Sequence, residues 1–513
     1  EFSQNKSSFR EVNADFLVGA NKKFGDFGID ATFGGNKMDQ IRDNISTSVR
    51  NFYIRGLYTI GNGQVKTPDY SYARKKVNSL YGSLNFSFRE FLFLNTTARN
   101  DWFSTLNPQS NSYLYPSVSG SFVVSEALHN VMPSWMNYVK LRASYAEVGG
   151  DTEPYSNNLY YDMAPNTYNG YGYGEISGNT SPNANLRPLK VKEVEAGLEL
   201  GLFNNRVRYD GAIYRKNTVD EILNVDISNA SGFPTTTVNI GRLRNQGIEN
   251  LLTIQPIRNR NFTWETGINY TYNTSLVLEL ASGQPRIDVG SATFIGQLSH
   301  EVGMPLASLR GYDYLRDAKG QIVTINGRFQ RGELKTWGSG VPKHIGGFLN
   351  TLTYKKFRLF AQVDFKAGHK LISDTEWNML RSGHHKKSLP GREGGVIFNG
   401  VDQNGSANTT AVEAESFYTD YSGRRIVTEA VYNASFVRWR TLNLSYDASA
   451  LVSKTFIRGL AVSTNINNVL MIKRYTDNID PESVSQVRDT QAGLESVSLP
   501  TTRTYSLSLN FKF

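Results

Sequence analysis

Thr504–Phe513, TYSLSLNFKF, alternates without a break to the carboxy terminus. Tyr505, Leu507, Leu509, Phe511 and Phe513 share one face, and Thr504, Ser506, Ser508, Asn510 and Lys512 the other. A strand that is apolar on one side and small and polar on the other suits a sheet with lipid outside and water inside. An edge strand of a soluble sandwich would also alternate, so the remaining chain has to decide. The same pattern recurs in Leu80, Gly82, Leu84, Phe86 and Phe88; in Phe262, Trp264, Ile268, Tyr270 and Tyr272; in Phe357, Leu359, Ala361, Val363 and Phe365; and in Leu442, Leu444 and Tyr446. Runs of about ten residues match a tilted membrane strand, whereas no apolar run approaches the length of a membrane helix. The expected fold is therefore all-β, a transmembrane antiparallel β-barrel.

Composition supports this. With 513 residues, 28 Tyr, 28 Phe, 45 Gly and 39% hydrophobic residues, the chain is too polar for a helical membrane protein, but each barrel strand needs only one apolar face. The lack of cysteine excludes disulfide scaffolds and cysteine-ligated metal centres. A net charge of +9 is spread over turns and loops without a basic helix or an aromatic-basic module, which argues against nucleic acid as a partner.

Short turns at Lys22–Asp26, Arg89–Glu90, Asn204–Asn205, Arg258–Asn261 and Lys355–Lys356 contrast with long polar segments at 37–76, 149–189, 315–344, 368–434 and 468–501. Barrels of this kind place short turns in the periplasm and long loops outside the cell, and counting back from the last strand puts every short turn on the periplasmic side. The pattern yields about 16 or 17 strands, among them 9–22, 26–36, 77–88, 292–302 and 306–314. A bacterial barrel closes with an even number. Because the chain also starts at Glu1 close to its first strand, the 513 residues are expected to be the carboxy-terminal part of a larger barrel, or one fragment of a nicked polypeptide, lacking about five or six strands.

Seven segments carry a specific resemblance: Tyr115–Phe122 (YPSVSGSF), Val139–Gly150 (VKLRASYAEVGG), Asn183–Leu200 (NANLRPLKVKEVEAGLEL), Gly201–Arg206 (GLFNNR), Asn239–Glu249 (NIGRLRNQGIE), Tyr432–Tyr446 (YNASFVRWRTLNLSY) and Leu499–Phe513 (LPTTRTYSLSLNFKF). In order and spacing the chain resembles the carboxy-terminal part of a SusC/RagA-type TonB-dependent outer-membrane transporter. The resemblance implies a 22-stranded barrel preceded by a plug, a small sandwich-like domain and a TonB-interacting segment, none of which is visible in residues 1–513. It further implies location in the bacterial outer membrane, a SusD-like surface lipoprotein as lid, the TonB complex acting through the absent amino-terminal region, and import of an oligomeric nutrient. A glycan is the leading expectation and an oligopeptide the alternative. A non-transporting surface-binding barrel and a passive porin are further alternatives.

No cofactor and no enzymatic role are expected. His300-Glu301, His384-His385 and Asp402 are the candidates for a base or a metal ligand, yet neither a His-Glu-x-x-His pattern nor a Gly-x-Ser-x-Gly elbow is present. Asp402, Asn404, Ser406, Asn408, Thr410 and Glu413 have EF-hand spacing, but Ala407 stands where the loop needs glycine, so metal binding stays open and a metal-free turn is the better reading. Substrate contact is assigned to Tyr160, Tyr161, Tyr168, Tyr171 and Tyr173, in a segment that also holds Tyr155, Asn158, Asp162, Asn166 and Asn169, and to Asp374 and Trp377, beside Asn378 and Arg381. Aromatic faces next to amides and carboxylates can stack on sugar rings or bond to peptide groups. The same tyrosines would equally suit an interfacial belt or a protein contact.

Overall fold

The computed structural model describes the chain except residues 177, 281–282, 290–292 and 485–491. Two compact units are present: Glu1–Glu126 with Arg142–Glu195 and Lys216–Arg242, and Ala127–Leu141 with Ala196–Arg215 and Leu243–Phe513. The main sheet has 16 strands. Fifteen follow one another in chain order, and the short strand Thr180–Ser181 joins Thr235–Arg258 in parallel.

In the first unit β1 (Phe2–Phe24), β2 (Phe27–Phe52), β3 (Gly63–Phe88) and β4 (Leu92–Phe103) pair as an antiparallel meander. Phe16, Phe33, Leu80, Leu94 and Leu114 are exposed on one face, while Val77, Ser79, Asp101 and Phe103 are buried on the other. In the second unit Phe357, Leu359 and Ala361 align with Tyr446, Leu444 and Leu442, then with Val462, Thr464 and Ile466, and finally with Leu509, Leu507 and Tyr505. The intervening rows are Arg358, Ser445, Ser463 and Ser508, then Phe360, Asn443, Asn465 and Ser506. An apolar outer band and a largely polar inner row are thus continuous across four strands, as lipid on one side and water on the other require.

The tight turns fall where the alternation breaks. Arg89 and Glu90 both have positive φ, as do Asn204 and Asn205, which matches the right-handed twist of the flanking strands.

Two expectations need correction. Segment 37–76 is largely strand, since β2 and β3 stay in register from Phe27 opposite Phe88 to Phe52 opposite Gly63. Their 26 residues each reach roughly 85 Å, far more than a membrane requires. With both faces wet, such a strand has no apolar row to distinguish it from a loop. Segments 292–302 and 306–314 contribute Gln297–Glu301 and Ser308–Tyr314 to a separate four-stranded sheet with Arg286–Asp288 and Arg331–Ser339, residue 292 lying outside the described residues. They are buried by other loop segments, not by lipid, as Leu298, Ser299, His300 and Leu309 show. The wall therefore has 15 sequential strands, and a 22-stranded barrel would take seven from elsewhere. Thr504–Lys512 pairs with Gly459–Arg474 and β1 with β2, and neither has a second neighbour among the described residues.

The outer band sets a depth-dependent test. Leu507→Arg is expected to cost about 2–4 kcal/mol, and Leu509→Arg, one rung nearer the periplasmic turn, less. Heat-modifiable gel mobility of the assembled receptor measures this, and equal stability of both variants and the parent would contradict the assigned face.

Candidate functional site

In the first unit, Tyr161–Tyr168 and Tyr171–Ile176 form a two-stranded hairpin turning at Asn169 and Gly170, both with positive φ. Tyr168 and Tyr171 are 74% and 79% exposed, and Tyr160, Tyr161 and Tyr173 also face solvent. Tyr155 packs edge-on against Tyr160 with 6.1 Å between ring centroids. Four of the seven sequence-assigned residues are therefore accessible ring faces on this hairpin, and Tyr160 immediately precedes it. The side chains of Asp162 and Asn166 lie outside the described residues.

Asp374 and Trp377 are in a different environment. They lie in the helix Asp374–Arg381, 2% and 1% exposed, within a core that joins three long connections of the second unit. Trp377 packs 5.2 Å from Phe294 and beneath the Arg381 guanidinium, and Asp374 accepts a 2.9 Å hydrogen bond from the Phe294 amide. Both side chains are thus packed inside a helix-bearing core and not displayed on an open loop surface. Phe329, Phe417, Tyr314 and Tyr421 extend the same core.

Buried carboxylates fasten this platform. Glu376 accepts hydrogen bonds from Tyr432 at 3.0 Å and from the Asn478 amide at 3.2 Å, with His385 Nε2 at 2.8 Å. Glu495 accepts from Ser373 Oγ, from Thr375 at 2.7 Å and from the Ser498 amide. Where the platform meets the wall, Arg438 contacts Asp480 at 2.6 Å and Glu482 at 3.0 Å, and Arg440 contacts Asp364 and Glu482. The long connections are thus a folded structure with its own core. Sequence reasoning missed these anchors, although Ser373-x-x-Glu376, whose Ser373 Oγ accepts from the Glu376 amide at 3.0 Å, carries the signature of a helix start.

Burial opposes charging Asp313, but bonds from Lys335, Thr428 and Arg316 prevail and hold its carboxyl at about 2. Burial lowers His300 to about 4 and His369 to about 4. A neutral buried histidine favours the folded platform above the ordinary imidazole range, and this contribution is lost as pH falls from about 6.5 towards 4, because the opened state binds the proton more readily. Protection of 297–301 and 369–373, taken relative to intrinsic amide exchange at each pH, is expected to fall between pH 7 and pH 4.5, and His300→Phe should flatten the response. A protection factor that does not change with pH would contradict it.

The other candidates are absorbed structurally. Asp402 Oδ1 accepts from the amides of Asn404 and Ser406, Asn408 accepts from Thr410, and Glu413 caps the helix Ala414–Arg424, so the EF-hand-spaced residues build turns and a cap. Among the described residues no group of three His, Asp or Glu side chains is placed to hold a metal.

A meander of alternating strands with short turns at one end and a folded platform at the other defines an outer-membrane β-barrel receptor. The family model "TonB dependent receptor-like, beta-barrel" matches residues 2–469. The chain belongs to this family. It is 24% identical over 535 residues to TonB-dependent receptor P3 of Formosa agariphila, covering 96% of this chain and 51% of the relative. To TonB-dependent receptor SusC of Bacteroides thetaiotaomicron it is 24% identical over 467 residues, covering 86% and 44%. The RagAB peptide transporter structure superposes on 100% of this chain and 56% of its own, with a TM-score of 0.78 at 20% identity. The chain spans about half the length of these relatives.

Proposed function

We propose that these residues form the carboxy-terminal wall and outer platform of a TonB-dependent importer whose plug, remaining strands and TonB-interacting segment precede Glu1. A SusD-like lipoprotein closes over the extracellular face, and the cargo is an oligopeptide. The observation that carries this reading is the match of the whole of this chain to part of the RagAB peptide transporter. The hairpin 161–176 adds a chemical reason, since a sheet of only two strands has outer edges on which an extended peptide can form backbone hydrogen bonds beside exposed tyrosine rings. An oligosaccharide is the second reading, favoured by the same ring faces, which stack on sugars.

The test is mass spectrometry of the ligand retained when the full-length receptor is purified with its lipoprotein. Mixed peptides without sugar are expected. Sugar without peptide would overturn the cargo and leave import intact.

A further inference from the structure

The outward face of β1–β3 changes character at one height. Phe16, Gly35 and Leu80 share a rung, and towards the short turns come Val18, Phe33 and Gly82, then Ala20, Ala31 and Leu84, and finally Phe24, Phe27 and Phe88. One cation interrupts them, Lys22, whose ammonium lies 4.9 Å from the Phe24 ring next to the periplasmic turn. From Phe24 to Phe16 the strand runs about 26 Å, roughly 20 Å along the membrane normal once tilt is included, so the next rung or two reach the edge of the roughly 25 Å lipid-facing band of a barrel. Immediately beyond Phe16 the rungs read Ala14, Lys37, Asn78 and Trp102; then Val12, Asp39 and Lys76; then Arg10, Ile41 and Arg74.

Four cations stand here against one carboxylate. Asp39 is held by Arg74 through bonds of 2.9 and 2.5 Å, with Lys76 at 3.9 Å. Arg10 and Lys37, both exposed, make no hydrogen bond or ion pair among the described residues. Trp102, 37% exposed, sits on the Lys37 rung, where an indole meets the membrane–water interface. Charge at headgroup height on a lipid-facing surface complements lipid phosphate more directly than it would a soluble partner.

We propose that Arg10, Lys37, Arg74 and Lys76, with Trp102 beside them, bind the phosphorylated headgroup of an outer-leaflet glycolipid. The lysines and Arg10 reach the phosphates, Arg74 is kept upright by Asp39, and the rungs below lie along the acyl chains. This rests on the outer-membrane orientation and is independent of the cargo.

The full-length receptor is reconstituted in phosphatidylcholine nanodiscs containing either bis-phosphorylated or dephosphorylated lipid A, and bound lipid A is counted by native mass spectrometry. Phosphorylated lipid is expected to be retained, with about fivefold weaker binding for each basic residue removed and on the order of a hundredfold for Arg10→Gln/Lys37→Gln/Lys76→Gln. The charge-preserving Arg10→Lys/Lys37→Arg/Lys76→Arg should bind like the parent. Heat-modifiable mobility confirms assembly, and should the triple glutamine variant fail to assemble, Lys37→Gln alone reads the fivefold loss. Equal retention by the glutamine variants, or equal retention of dephosphorylated lipid, would overturn the proposal.

Discussion

Arg438→Ala is expected to destabilise the outer platform by about 3–5 kcal/mol, because it leaves the buried Asp480 carboxylate without its counter-charge. Arg438 is 3% exposed; its guanidinium contacts Asp480 and Glu482 and donates to Thr501 Oγ1 at 2.5 Å. Asp480 also accepts from the Thr501 amide at 3.2 Å, so one cation ties the strand Phe436–Asp447 to both ends of the connection after Arg474. The expected result is loss of hydrogen-exchange protection in 476–484 and 494–501 with the barrel still heat-modifiable. Arg438→Lys keeps the charge but not the planar fork, and should fall between. Unchanged protection in Arg438→Ala would show that this network does not hold the segment.

Trp377→Ala is the second large effect, also about 3–5 kcal/mol, from a cavity in a packed core. Its ring is covered by Phe294 and Arg381 and belongs to the cluster containing Phe417 and Tyr421. Protease cleavage within 374–381 and 414–424 should appear while barrel mobility is unchanged. Tyr168→Ala, at a 74% exposed position, should leave both measurements unaltered and lower ligand retention instead. If Trp377→Ala weakens ligand retention without exposing either helix to protease, Trp377 is a contact residue and its structural assignment fails.

The strands were readable because lipid and water impose a period of two on every one of them, and Leu80–Phe88 and Tyr505–Phe513 display it directly. The upper parts of β2 and β3 were not, because a strand wet on both faces loses that period. The platform was unreadable for another reason. Its core is assembled from Leu298, Leu309, Phe329, Trp377 and Phe417, which are too far apart in sequence to form any local pattern. Segments 292–302 and 306–314 accordingly read as membrane strands, since a short buried strand such as Gln297–Glu301 or Ser308–Tyr314 looks alike whether lipid or protein covers it. The aromatic hairpin was legible as a cluster of tyrosines, whereas Asp374 and Trp377 had a binding loop's composition and a helix core's position.

The most direct measurement is uptake of labelled oligopeptides by cells carrying the full-length receptor, with and without TonB. Uptake that requires both the receptor and TonB is the predicted result, and peptide uptake unaffected by loss of TonB would contradict the account.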